Sequence, residues 1–205
     1  MIIKTAEELS AMQEIGKICA ITLKKMAEAL TPGMTTKELD LYGAEILASY
    51  GAKSAPIACY NFPGHNCISV NDVVAHGIPD DTVIKEGDIV NIDVSAVKDG
   101  FFGDNRGSFA VPPIKHIYEK LMAVGKEALN EAIAAAVAGY PPYGIGRAAE
   151  KIAKRHRYKT IRQLCGHGVG PTLPDYPDTV FTFHEKREKR ITGPRLVLSH
   201  KPFFS

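Results

Sequence analysis

Two aspartates, Asp93 and Asp104, stand in IVNIDVSAVKDGFFGDNRGSFAV, residues 89–111. Period-two alternation over 88–97 puts Val90, Ile92, Val94 and Ala96 on one face of a strand and Asn91, Asp93 and Ser95 on the other. Asp99-Gly100 is the dipeptide favoured in a two-residue type I′ hairpin turn. Such a turn pairs Ser95 with Asp104 and leaves Asp93 on the same face, one diagonal step of about 7–8 Å away. A slip of one residue sends the carboxylates to opposite faces. Two carboxylates on one face repel unless positive charge sits between them, and a pair of divalent cations about 3.5–4 Å apart sharing a bridging carboxylate answers that need. The alternative is a solvated hairpin whose aspartates merely suit the turn.

Two histidines are further candidates. His167 lies between glycines in GHGVG, after the strand-like IRQLC, and is expected to project from a tight turn. Its imidazole suits zinc, iron, manganese or cobalt sites that also carry carboxylates. His76, in AHGIPDD, precedes another glycine turn, where a neutral imidazole donates to a substrate carbonyl or leaving nitrogen. Cys59 and Cys165 have no neighbouring base and read as packing residues. The charged run HEKREKR, 184–190, reads as a solvated loop. No GxSxG elbow, P-loop or GxGxxG appears, which removes support for nucleophilic-serine and nucleotide chemistry.

The elements that must hold these residues follow from periodicity. Leu9, Met12, Ile15, Ile18, Ile21 (with Cys19 between), Leu23 and Met26 form a helical stripe over 5–30, stopped by Pro32-Gly33. Thr35 with Glu38 forms a capping-box signature for a second helix, closed by Gly51. Pro56, Pro63 and Gly64 predict a loop over 52–66, with strand-like runs at 67–75, 81–83 and 88–97. Helices are expected at about 114–138 and 145–156, then short strands and turns over 160–205. Helix–helix–strands thus occurs twice, as one domain over 1–205 with pseudo-repeats of about 1–111 and 112–205, divided near Pro112-Pro113.

Composition bounds the rest. The chain has 205 residues, 45% apolar and 23% charged, and its 25 basic and 23 acidic residues leave a net charge of +2. That is ordinary for a globular chain and shows no basic footprint for nucleic acid. No apolar run suits a signal peptide or a membrane span, and the four cysteines fit neither a disulfide framework nor a CxxC zinc pattern. A reduced, cytoplasmic setting is expected, with no nucleic-acid or membrane partner.

Taken together, CISVNDVVAHGIPDD, GDIVNIDVSAVKDGFFGDNRGSFAV and CGHGVG resemble, in order, segments of the type I methionine aminopeptidases. The likeness runs over essentially the whole chain. It implies an α/β pita-bread fold, with two pseudo-symmetric halves around a curved, mainly antiparallel sheet. Members of that family remove the initiator methionine from nascent proteins when the second residue is small, by metal-hydroxide attack on the scissile carbonyl. Carried over by residue, Asp93 chelates one metal, Asp104 bridges both and His167 ligates the other. His76 hydrogen-bonds the substrate at the scissile peptide, and Phe62, in NFPGHNC, lines the methionine pocket. The implied cofactors are divalent cobalt, manganese, iron or zinc, and the implied partners are N-terminal methionyl peptides.

Three departures accompany the resemblance. Pro174 stands where the family has a histidine, and proline neither donates a hydrogen bond nor exchanges a proton. Lys201 stands where the family has a ligating glutamate. The chain closes before the family's last strands and their second glutamate, which predicts an exposed sheet edge open to a homodimer or a strand-donating partner. His200, beside Lys201, is expected to face away from it by strand alternation. With these ligands replaced, one metal or none is expected instead of the family's two, with impaired hydrolysis. The alternative is a catalytically inactive relative that binds peptide or protein.

Overall fold

The computed structural model of the chain describes every residue except 186 and 189. The chain divides into two compact units, one of Glu7–Glu119 and the other of Met1–Ala6 with Lys120–Ser205.

The first unit is built on two helices and a four-stranded antiparallel sheet. Helix α1 (Ala6–Ala29) buries Met12, Ile15, Ile18, Cys19 and Met26, the face its periodicity predicts. Helix α2 (Thr36–Ser49) starts on the expected capping box: Thr35 Oγ1 accepts from the Glu38 amide at 3.1 Å, and Glu38 accepts from the Thr35 amide at 2.7 Å. Those bonds hold the Glu38 carboxyl below the usual carboxylate range. Gly51 follows the helix with φ +71°, a conformation that glycine adopts without strain.

Residues 52–66 are not a loop. They form strand β1 (Lys53–Ser54) and helix α3 (Ala55–Tyr60). Ser54 caps the helix and Pro56 lies in its first turn, where a missing N–H costs nothing. Strand β2 (Cys67–Val70) is shorter than the expected 67–75, because Asn71 turns left-handed at φ +52°. Residues 81–83 form no strand. Asp80 Oδ1 takes the Thr82 amide at 2.8 Å in a side-chain turn, leaving a single bridge between Thr35 and Val83.

The centre of this sheet is the hairpin of β3 (Ile89–Lys98) and β4 (Phe101–Ala110). Asp99 and Gly100 have φ +50° and +82°, as a type I′ turn requires. The ladder then runs without a slip from Lys98↔Phe101 to Ile89↔Ala110. On its other edge β3 pairs with β1 and β2. Val90, Ile92, Val94 and Ala96 are fully buried in one core with the α1 stripe, Leu39 and Leu47. Burial of such side chains contributes roughly 1.5–3 kcal/mol each.

The second unit contains most of α4 (His116–Ala135), α5 (Tyr143–Arg155) and strands β5 (Cys165–Gly168), β6 (Asp175–Phe181) and β7 (Leu198–Ser199). The sheet order is β6-β5-β7. Val124, Ala128, Ala132, Ile145, Ala149, Ile152 and Val180 form its core. Of the charged run 184–190, residues 186 and 189 lie outside the described residues. Arg190 pairs with Glu188 and Asp178 and donates to the Thr179 carbonyl at 3.0 Å, so this end of the run is tied to β6 rather than simply solvated.

One close approach connects the core to the carboxylates. A Cβ on Gly103 would lie 2.9 Å from both the Ile15 carbonyl oxygen and Cys19 Sγ, so α1 crosses the hairpin at the residue just before Asp104. Gly103→Ala is expected to lower stability by about 1–3 kcal/mol, because the obstacle is helix backbone. Urea unfolding followed by circular dichroism checks this; an unchanged midpoint contradicts it.

Candidate active site

The hairpin register puts the acid pair where the sequence pattern predicts. Ser95 opposes Asp104, and Asp93 opposes Arg106 two rungs along on the same face. Asp93 and Ser95 are buried, and Asp104 is half-buried. Ser95 Oγ donates to Asp104 Oδ1 at 2.8 Å, which fixes one carboxylate oxygen.

Arg106 was not anticipated as a member of this face. Its Nη1 lies 3.9 Å from Asp93 Oδ2, with both side chains under a tenth exposed. The guanidinium Nε donates to Asn91 Oδ1, and Nη2 donates to the Val74 carbonyl at 2.8 Å. At this range, unit charges attract by about 4 kcal/mol at an effective dielectric near 20, against the cost of desolvating both. Burial lowers the Arg106 pKa, while Asp93, Cys67 and Asp104 oppose that shift. The signal was present in the sequence: GDNR places an arginine two residues after Asp104, hence on its face of the strand.

Two segments of the first unit carry the sequence candidates His76 and Phe62. His76 is exposed and has φ +54°, a left-handed conformation uncommon for a residue with a side chain. Its neighbour Gly77 holds the turn against β2: the Gly77 amide donates to Ser69 Oγ at 3.1 Å, and its carbonyl accepts from the Ile68 amide at 2.9 Å. A Cβ on Gly77 would lie 2.2 Å from the Ile68 oxygen, so only glycine permits this approach. Phe62 is half-buried just after Asn61, the left-handed cap of α3. Tyr60, before that cap, has its pKa raised by burial and then by Cys59 and Asp104.

The segment that bears Phe62 is tied down at His65 and Asn66. Asp40 on α2 accepts from the His65 amide at 3.0 Å, the Asn66 amide at 2.7 Å and Asn66 Nδ2 at 2.9 Å. Ser54, the α3 cap, donates from its hydroxyl to the His65 carbonyl at 2.8 Å.

In the second unit, His167 lies in β5 rather than in a tight turn. The glycines beside it serve close strand packing: a Cβ on Gly166 would lie 2.4 Å from the Ser199 oxygen, and one on Gly168 2.2 Å from the Tyr176 oxygen. A register shift between Gly166 and Gly168 on the β6 side re-aims the strand at His167. His167 Nδ1 lies 2.8 Å from the Gly168 carbonyl. A carbonyl only accepts, which assigns the proton to Nδ1 and the lone pair to Nε2. Metal-ligating histidines adopt this arrangement.

The donor chemistry of Asp93, Asp104 and His167, hard carboxylate oxygens with an imidazole nitrogen, fits a divalent cation. Among the described residues no group of three or more His, Cys, Asp or Glu side chains converges on one point. Lys201 is half-buried just beyond β7.

Comparison with known proteins agrees with this architecture. Residues 10–204 match metallopeptidase family M24. The chain is 43% identical to the methionine aminopeptidase of Staphylococcus epidermidis, over all of this chain and 82% of that protein. It is 37% identical to methionine aminopeptidase 2 of Bacillus subtilis, over 100% and 83%. The crystal structure of methionine aminopeptidase from Rickettsia prowazekii matches with TM-score 0.93 at 31% identity, covering 100% of this chain and 82% of that one. Prolidase from Pyrococcus furiosus, 22% identical with TM-score 0.84 over 98% and 57%, shares the fold. The fold is the α/β pita-bread fold. The chain belongs to metallopeptidase family M24 and groups there with the methionine aminopeptidases. No described helix is long and apolar enough to cross a membrane.

His200 illustrates the local electrostatics. Among the described residues neither ring nitrogen has a hydrogen-bond partner, Nδ1 lies 3.2 Å from where a Cβ on Gly166 would be, and burial pushes the pKa down to about 4. The unfolded chain binds a proton near pH 6.5 that the folded chain refuses until about pH 4. Stability from this group is therefore complete above pH 6.5 and falls as pH drops toward 4, by about 2 kcal/mol at pH 5. His200→Leu should flatten that part of the pH profile of urea unfolding. A parent-like slope in the variant contradicts the assignment.

Proposed function

We propose that this chain is a weak initiator-methionine aminopeptidase, acting on N-terminal methionyl peptides whose second residue is small. The observation that carries this reading is the hairpin register, which puts Asp93 and Asp104 on one face. Family membership supplies the reaction class.

In this reading Asp93 and Asp104 are the carboxylate ligands to divalent cobalt, manganese, iron or zinc on the hairpin face, and His167 is a metal ligand through Nε2. A bound divalent cation supplies Lewis acidity toward the scissile carbonyl and acidifies the attacking water. The remaining work falls to the chain itself. Ser95 holds one Asp104 oxygen so that the carboxylate keeps its orientation. His76, fixed by the Gly77 tie to β2, donates to the scissile peptide. Phe62, on a segment clamped by Asp40 and Ser54, packs against the methionine side chain. Lys201 replaces a carboxylate ligand and Pro174 replaces a proton-exchanging histidine, which slows the reaction without changing its class.

A second reading, an inactive peptide-binding relative, is favoured by the cationic side chains: Arg106 beside Asp93 and Lys201 in the glutamate position. Methionine release from Met-Ala-Ser, with manganese, cobalt, iron and zinc each in excess, separates the two. Slow metal-dependent release is expected, abolished in Asp104→Ala and raised on the order of a hundredfold in Lys201→Glu, the scale of restoring an active-site electrostatic group. No release by folded protein with any metal, in parent and Lys201→Glu alike, sinks the aminopeptidase reading and leaves the binding one.

A further inference from the structure

We propose that Arg106 is a positioning residue for His76: it ties the hairpin to the 71–76 turn and so fixes where the imidazole stands relative to the carboxylate face. The inference deepens the aminopeptidase reading and rests on it, since that reading gives His76 its work at the scissile peptide.

The 71–76 turn has little apolar anchorage, because Val73 and Val74 are each about half exposed. Its hold on the rest of the unit is polar. At the near end the Asn71 amide donates to the Ile89 carbonyl at 2.9 Å, and Asn71 Oδ1 accepts from the Ile89 amide at 3.1 Å. At the far end Gly77 is bonded to Ile68 and Ser69 of β2. Between them Arg106 Nη2 reaches out from β4 and donates to the Val74 carbonyl at 2.8 Å. His76 thus has a pinned residue two positions before it and another directly after it. A left-handed residue other than glycine persists only where its surroundings over-determine it, and His76 has φ +54°. The Val74 tie is one of the constraints that do so.

Arg106 is suited to this because it is itself held. Its side chain is 8% exposed, with Nη1 beside Asp93 on the carboxylate face. Nε donates to Asn91 Oδ1, and Asn91 Nδ2 donates in turn to Ser108 Oγ at 2.8 Å, directly across the ladder. Ser108, Asn91, Arg106 and Val74 form a continuous line of hydrogen bonds from the hairpin out to the turn. A guanidinium offers its donors in a rigid planar fork, which an ammonium on a flexible stem does not reproduce. Charge and geometry at this position can therefore be separated by substitution.

Nitrogen-15 relaxation on the full chain and methionine release from Met-Ala-Ser test this together. In the parent the amides of 72–76 are expected to be as rigid as those of β2. Arg106→Lys keeps the charge and loses the fork, so those amides should loosen and the His76 ring signals should shift. In that variant kcat should fall roughly tenfold to a hundredfold with KM nearly unchanged, the scale of misplacing a reacting group by about 1 Å. In a His76→Ala background the same substitution should cost less than about twofold, because both changes act on one step. A mobile 72–76 turn in the folded parent overturns the proposal and needs no variant. Arg106→Lys with parent-like relaxation, His76 signals and kcat overturns it too. A loss that multiplies in full on top of His76→Ala also overturns it, and leaves the aminopeptidase reading standing. A parent that releases no methionine with any metal removes that reading alone, and the relaxation and His76 signals then decide the positioning without it.

Discussion

Everything in the first unit depends on the register of the β3–β4 hairpin. The turn at Asp99-Gly100 needs two successive left-handed residues, which this dipeptide tolerates. Because side chains alternate with period two, that turn decides at once which residues enter the core and which form the polar face. Val90, Ile92, Val94 and Ala96 meet the α1 stripe on one side, and Asn91, Asp93 and Ser95 meet Asp104, Arg106 and Ser108 on the other. Hydrophobic burial thus pays for a stripe of polar groups that would not assemble alone. Any slip that relieved charge crowding on one face would expose the core on the other.

That polar stripe is nearly self-sufficient. Ser95 satisfies an Asp104 oxygen, Asn91 accepts from Arg106 and donates to Ser108, and the guanidinium lies beside Asp93. Adjacent carboxylates need positive charge between them. The structure supplies part of that charge from the strand itself.

What was legible in the sequence depended on how local the physics was. The hairpin, the α2 capping box and the α1 stripe are specified by residues within a few positions of one another, and each has the predicted form. Helix α3 was hidden because Pro56 reads as a breaker unless Ser54 is recognised as its cap. The glycines around His167 suggested a turn, whereas they are required by strands that approach from Ser199 and Tyr176. That reason is not available from GHGVG alone. Arg106 is a different case: its face followed from the same alternation that located Asp93, but an arginine among strand residues has no motif to mark it. Strand limits at Asn71 and Asp80 also escaped, because single side-chain turns cut short otherwise β-prone runs.

The clasp from Asp40 has a different kind of consequence. It suspends the Phe62 segment from helix α2, alongside the bond that Ser54 makes from strand β1. Helix α2 in turn rests where Gly43 leaves room for Met26 and Asn66, with no space for a β-carbon. The Phe62 segment therefore hangs from a helix and a strand at once. Loss of the Asp40 carboxylate loosens one of these two supports and leaves the other, so the position of the segment is shared between helix and sheet rather than set by either.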